Sequence, residues 1–168
     1  IVEHCDAYNK KNTKPKKGFL SIDDEIKAIK QINDQCNTNF GIVINWGRSV
    51  IEHRNINGPL AHINSVKSNN LLAGIMFSGT TDKNNNLYGA WSDLHMPPAT
   101  FSDYRYFEPE SLMTYENIKN TLALCDLNSL DFLGVKLLAM PKESSVEKRI
   151  SINKDSIGLL DRAIIETS

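Results

Sequence analysis

The 168-residue sequence has few cysteines, no surplus of either charge and no long apolar segment. Its three cysteines, Cys5, Cys36 and Cys125, lie too far apart for a disulfide framework or a CxxC metal knuckle and indicate free thiols in a reducing compartment. Nineteen Lys and Arg balance 20 Asp and Glu, which removes the electrostatic basis for nucleic-acid binding. No apolar run approaches the roughly 20 residues that span a bilayer, and nothing at the start has the pattern of a signal peptide. We therefore expect a cytoplasmic protein that binds neither nucleic acid nor membranes.

The sequence does contain a recurring alternation of short apolar segments and amphipathic ones. Nearly continuous apolar runs, as in strands covered on both faces, predict four strands: Ile1–Cys5, Phe40–Asn45, Leu72–Phe77 and Phe132–Ala139. Apolar residues at helical spacing predict four helices: Ser21–Asp34, Pro59–Ser68, Thr114–Leu127 and Lys154–Glu166. This alternation favours an α/β fold of parallel strands with right-handed helical crossovers.

Two architectures fit four such units. An open flavodoxin-like sheet is one, although such sheets usually have five strands. The other is half of a (β/α)8 TIM barrel, whose whole needs roughly 250 residues. Because chain termini normally lie at the surface, whereas Ile1 lies in an apolar strand, we expect residues 1–168 to be a single domain, the C-terminal half of a barrel without its N-terminal half. Its two unpaired strand edges predict association with the missing half or with further copies in a homo-oligomer.

Polar residues stand at the ends of the predicted strands. Glu3 lies in an apolar strand, and a carboxylate there needs a cation, a metal ion or strong donors. It is a candidate metal ligand or proton-transfer group, with a plain salt bridge as the alternative. Strand alternation directs Glu3 and Cys5 to one side and His4 and Asp6 to the other.

The segments VEHCDA and KGFLSIDDEIKAI, followed by GIVINWGRSVIEHR, LLAGIMFSG, YGAWSDLHMPP and FLGVKLLA, together resemble units five to eight of the xylose-isomerase-like TIM barrels. That superfamily includes sugar isomerases and epimerases and endonuclease IV. More narrowly, the series INWGRS, GIMFSG and YGAWSDLHMPP resembles a branch catalogued only as a domain of unknown function.

The resemblance implies a divalent metal ion (Mn, Mg or Zn) that is held at the strand ends and assists proton or hydride transfer on a small sugar. Only Glu3 matches the metal ligands of such enzymes. Asn45, Ser78 and Lys136 stand where aspartate, histidine and glutamate are common, and an amide, a hydroxyl and a cation are poor ligands for a hard divalent ion.

Polar and aromatic residues at these strand ends are candidate contacts for a carbohydrate-like small-molecule substrate. Arg48 could bind a carboxylate or phosphate bidentately, with an ion pair to Glu52 or Asp93 as the alternative, and Trp46 could stack on a sugar face. Ser49 and Glu52 have the spacing of a capping box. The predicted substrate contacts are Asn45, Trp46, Arg48, Ser78 and Asp93.

A long irregular stretch, Gly79 to about Met113, follows the third strand and predicts a functional loop. It carries Asp93 and His95, and His95 is a candidate second acid/base, with a structural hydrogen bond as the alternative. His4 and His62 have weaker claims, and the pattern predicts that His62 faces outward from its helix.

Three functions follow from these residues. The first is an isomerase or epimerase of a small sugar, polyol or hydroxy-carbonyl compound, with Glu3 and His95 as catalytic groups. The second is a metal-independent lyase or aldolase that uses Lys136 as a Schiff base, although Lys136 could instead pair with Glu3 or reach solvent. The third is a sugar-binding barrel whose metal site has decayed.

Overall fold

The computed structural model describes residues 1–15, 17–18, 20–99 and 104–167. Its strands are β1 (Val2–Glu3), β2 (Ile42–Asn45), β3 (Leu72–Phe77) and β4 (Phe132–Val135). Its α-helices are α1 (Ile22–Cys36), α2 (Trp46–His53), α3 (Gly58–Lys67), α4 (Tyr115–Leu122) and α5 (Val146–Thr167). Among these described residues, no helix combines the length and apolar character needed to cross a bilayer.

The four strands form one parallel sheet in the order β1-β2-β3-β4. Glu3 pairs in register with Val43, and Asn45 pairs with Met76. The predicted α/β fold with parallel strands and alternating helices is therefore confirmed. All the observed strands lie within the predicted ones, but β1, β2 and β4 are shorter.

Helix α2 begins directly at the end of β2 and was not predicted. The Asn45 side chain caps it by accepting a hydrogen bond from the backbone N–H of Arg48, 3.1 Å away. The predicted capping box at Ser49 is wrong, because Ser49 lies inside the helix and its hydroxyl donates to the Asn45 carbonyl at 3.1 Å. An Asn cap immediately after an apolar strand places the first helical turn at the carboxyl edge of the sheet.

The chain folds into two compact units. Unit 1 comprises residues 1–76 and 128–133, and its core lies where the sheet packs on its helices: Ile42, Ile44, Ile63, Val66 and Ile75 are each 0% exposed. Unit 2 comprises residues 77–127 and 134–168. In unit 2, α4 packs on α5, with Leu122 and Leu159 fully buried.

The long stretch after β3 belongs to unit 2, and its described part has a defined backbone. Gly79 and Met96 form an antiparallel bridge, and the N–H of Gly79 donates to the Met96 carbonyl at 2.8 Å. A Cβ on Gly79 would lie 2.5 Å from the Met96 carbonyl oxygen, so the close approach requires glycine. Residues 100–103 of the predicted loop lie outside the described residues.

Candidate functional site

The side chains of residues 3–5 alternate in the groups that they contact, as strand alternation predicts. Arg48 Nη1 lies 3.3 Å from Glu3 Oε2 and 3.2 Å from Cys5 Sγ. His4 contacts a different group, with Nε2 lying 3.2 Å from Glu52 Oε2. Unit 1 therefore carries two polar clusters: the Glu3 cluster (Glu3, Asn45, Arg48) and the His4 cluster (His4, Glu25, Glu52, His62).

In the Glu3 cluster, each carboxylate oxygen has its own donor. Asn45 Nδ2 donates to Glu3 Oε1 at 2.8 Å, and Arg48 approaches Oε2. The Arg48 side chain is only 4% exposed, whereas the Glu3 side chain is 30% exposed. The salt-bridge alternative for Glu3 is thus observed, with Arg48 as partner, and the predicted pairing of Arg48 with Glu52 is wrong because Glu52 belongs to the His4 cluster. Residues Glu3, Asn45 and Arg48 come together at the carboxyl ends of β1 and β2.

An open pocket of about 180 Å³ adjoins Glu3 on one face of the sheet. Its other walls are apolar: Ile1, Val43, Met76 and Phe132. The pocket lining thus combines apolar walls with one charged group, a combination that small-molecule sites commonly have.

The residues around Glu3 do not suit the divalent ion that the resemblance implies. The Arg48 guanidinium places a positive charge against one carboxylate oxygen, and an amide N–H occupies the other. A hard divalent ion needs several oxygen ligands and no competing cation at that position. The reaction proposed below therefore uses no step through a metal at Glu3.

The structure places Trp46 in the core and Lys136 just beyond the strand that was predicted to contain it. Trp46 is 1% exposed, so its ring packs in the core and does not offer a face to solvent. Lys136 lies just beyond β4 and is half-buried, and its backbone N–H donates to the Phe77 carbonyl at 2.9 Å.

In unit 2, Ser78, Asp93 and His95 come together. His95 Nδ1 lies 3.3 Å from Ser78 Oγ and 3.3 Å from Asp93 Oδ1. The His95 side chain is 22% exposed and that of Asp93 only 6%. His95 has a positive φ of 52°, a left-handed backbone conformation that turns the loop. The loop thus brings Asp93 and His95 together in one group.

Sequence reasoning missed the His4 cluster. His4 is fully buried, and its Nδ1 bonds Glu25 of α1. Glu52 of α2 accepts from the backbone N–H of Ala7 at 3.0 Å, and its Oε1 lies 3.6 Å from His62 Nε2. The predictions that His62 faces outward and that Glu52 completes a capping box are wrong, because both residues are buried, His62 at 2% and Glu52 at 5% exposed.

The charges of the His4 cluster are strongly perturbed. Burial by itself would lower the pKa of His4, but hydrogen bonds and attraction from Glu25 and Glu52 outweigh it and raise the pKa to about 9. Burial would raise the pKa of Glu52, but hydrogen bonds from His4, His62 and the Ala7 backbone hold it well below its usual range. Without a bound ion, a protonated His4 between carboxylates is the state that this geometry favours.

Comparison with known proteins identifies relatives without an assigned activity. Residues 1–152 match the family described as "Domain of unknown function (DUF4862)". A relative from Salmonella typhimurium (strain LT2), "Uncharacterized protein STM3670", is 35% identical over 163 residues, which are 97% of this chain and 47% of that protein. The chain thus spans about half the length of this curated relative. No solved structure matches the chain. The expected resemblance to a branch of unknown function is confirmed, and the chain belongs to the DUF4862 family.

Proposed function

We propose that the natural full-length protein is an isomerase or epimerase that moves a proton on a small sugar, polyol or related hydroxy-carbonyl compound, with Glu3 as the catalytic carboxylate. The carboxyl ends of parallel strands are where α/β proteins build their sites. The observation that carries the proposal is the contrast within the Glu3 cluster: a 4% exposed Arg48 holds a carboxylate whose side chain is 30% exposed.

The two donors to Glu3 fix the direction of its carboxylate. A general base must lie within hydrogen-bond reach of the proton it removes, so a fixed orientation favours proton transfer. The neighbouring walls, Val43, Met76 and Phe132 among them, would cover part of the apolar surface of a substrate bound there. For unit 2 we propose His95 as an acid/base group, with Ser78 and Asp93 as its hydrogen-bonding neighbours.

This function also implies a complete fold for the natural protein, namely a closed barrel. We propose that the parallel sheet and its helices are the C-terminal half of a (β/α)8 TIM barrel of the xylose-isomerase-like type, and that the pocket face of the sheet is the barrel interior. The length of the Salmonella relative supports this, because this chain spans only 47% of it. The remaining strands would come from the other half of the natural protein.

Hydrogen exchange tests the reaction directly. The full-length protein is incubated in D2O with a panel of small aldoses, ketoses and polyol-derived ketones, and deuterium at the carbon beside the carbonyl is followed by proton NMR. We expect exchange on at least one compound, and its loss in Glu3→Gln. Glu143→Gln is the matched control, because Glu143 is exposed and remote in sequence.

Three results would contradict the proposal. Unchanged exchange in Glu3→Gln removes the catalytic role of that carboxylate. Carbohydrate binding without exchange supports the sugar-binding barrel instead. Borohydride trapping of a substrate adduct that disappears in Lys136→Ala supports the lyase.

A further inference from the structure

Three metal-ligating side chains converge in the His4 cluster, on the side of β1 that the proposed reaction does not use. Donor atoms of His4, Glu52 and His62 all lie within 4.8 Å of one another. Glu52 Oε2 lies 3.2 Å from His4 Nε2, and the other carboxylate oxygen, Oε1, lies 3.6 Å from His62 Nε2. Ligand atoms around a tetrahedral ion with bonds of ~2.0–2.1 Å lie about 3.3 Å apart, so these separations need little adjustment.

The orientation of both imidazoles also fits a metal site. In each ring Nε2 points toward Glu52, while Nδ1 contacts a different side chain: Glu25 bonds Nδ1 of His4, and the Ser49 hydroxyl lies 2.9 Å from Nδ1 of His62. Histidine ligands commonly use one ring nitrogen for the metal and give the other N–H to a carboxylate or another acceptor. Such outer partners set the tautomer that leaves the Nε2 lone pair directed inward.

We propose that His4, Glu52 and His62 bind a divalent transition-metal ion, and that zinc is the preferred ion. Two imidazoles and one carboxylate are a ligand set that zinc uses, whereas Ca²⁺ and Mg²⁺ prefer oxygen ligands alone. The site is distinct from the Glu3 cluster, because strand alternation separates Glu3 from His4.

An entry path and a further nitrogen donor are present. An open cleft of about 510 Å³ has Glu52, His53 and His62 among its walls, together with residues 9–11 and the start of α1. His53 Nε2 lies 3.0 Å from His62 Nε2, and His53 is half-buried. His53 therefore places a further imidazole nitrogen beside His62, next to the three proposed ligands.

The ion would join parts of unit 1 that are distant in sequence. The ligands come from the segment after β1, from α2 and from α3, and Glu25 adds α1 as an outer partner. Metal ligation that bridges separate elements stabilises the folded state, because the unfolded chain does not hold the ligands together. The ion is thus a structural clamp that leaves the contacts of Glu3 unchanged.

Metal analysis of the full-length protein tests the site. The protein is stripped with a chelator, checked by circular dichroism, and titrated with ZnCl2 by calorimetry. We expect one zinc per chain at this site and a higher Tm with zinc than without. Glu52→Gln keeps the side-chain shape and should lower the affinity at least ~100-fold, and Glu25→Gln, an outer partner, about 10- to 100-fold.

Three further variants make the result specific. Glu3→Gln should bind zinc as the natural protein does, and so should the surface control Glu143→Gln. If Glu52→Gln does not fold, His62→Asn removes the Nε2 ligand while keeping a polar group near Ser49, and it should also lower the zinc affinity at least ~100-fold. Stripped protein that takes up no zinc, zinc binding unchanged in Glu52→Gln and His62→Asn, or zinc binding lost in Glu3→Gln would each overturn the proposal.

Discussion

The ion pair between Glu3 and Arg48 allows a quantitative test of the site geometry. At the observed 3.3 Å, two unit charges attract by about 5 kcal/mol at an effective dielectric constant of ~20 and by about 1 kcal/mol in bulk water. Arg48 is buried but Glu3 is 30% exposed, so solvent screening reduces the upper value. We expect a coupling free energy of about 2 kcal/mol between the two side chains.

A double-mutant cycle measures this coupling. Glu3→Gln removes the charge but keeps an oxygen for Asn45, and Arg48→Met removes the charge but keeps an apolar stem. The free energy of unfolding is obtained by urea titration for the natural protein, both single variants and the double variant, with equal m-values as the check on comparability. Glu3→Gln alone should cost about 2–3 kcal/mol because it removes a carboxylate charge from beside a buried guanidinium. A coupling below about 0.5 kcal/mol, as in exposed pairs, would refute the buried geometry of this pair.

Three other predictions concern other parts of the fold. Hydrogen bonds from Arg162 and Lys119 lower the pKa of Glu166 from 4.5 to about 2. The Tm of the natural protein should therefore exceed that of Glu166→Gln by its full amount above pH 4.5, and this difference should disappear as the pH falls toward 2. A Tm difference that does not depend on pH would contradict this. Tyr88 is 2% exposed and its hydroxyl donates to the Leu138 carbonyl at 2.7 Å, so Tyr88→Phe should lower the free energy of unfolding by about 1–2 kcal/mol in urea titrations, and no change would refute the bond. The 168-residue chain by itself has β1 and β4 as edge strands and should associate in sedimentation velocity runs, and a stable monomer would argue against the half barrel.

The strands were predictable because apolar runs of four to eight residues leave few alternatives in a chain of this composition. The strand Leu72–Phe77 was predicted to the residue. Helix α2 was missed, because the apolar strand runs into Trp46 without a turn signal and the capping residue Asn45 is also the last residue of β2. In that position the sequence pattern predicts a strand end, and only the observed backbone shows that Asn45 caps a helix.

The Glu3 cluster was half predictable. An acid in an apolar strand requires a partner, and alternation correctly placed Glu3 and Cys5 on one side. The identity of the partner was not predictable, because Arg48 reaches Glu3 only through the register of β1 on β2 and the immediate start of α2. The charge of Arg48 then decides that the strand end does not suit a divalent ion.

By itself, the sequence determined the parallel α/β alternation, the presence of a carboxylate at the end of the first strand and the separation of Glu3 from His4 across that strand. These follow from local periodicity, which depends on neighbours within a few residues. Only the tertiary structure decided that His4, Glu52 and His62 meet, because they lie on a strand end and two helices whose packing brings residues 4, 52 and 62 together. Side-chain direction on a helix is set by what the helix packs against, and the apolar pattern around His62 does not specify that neighbour.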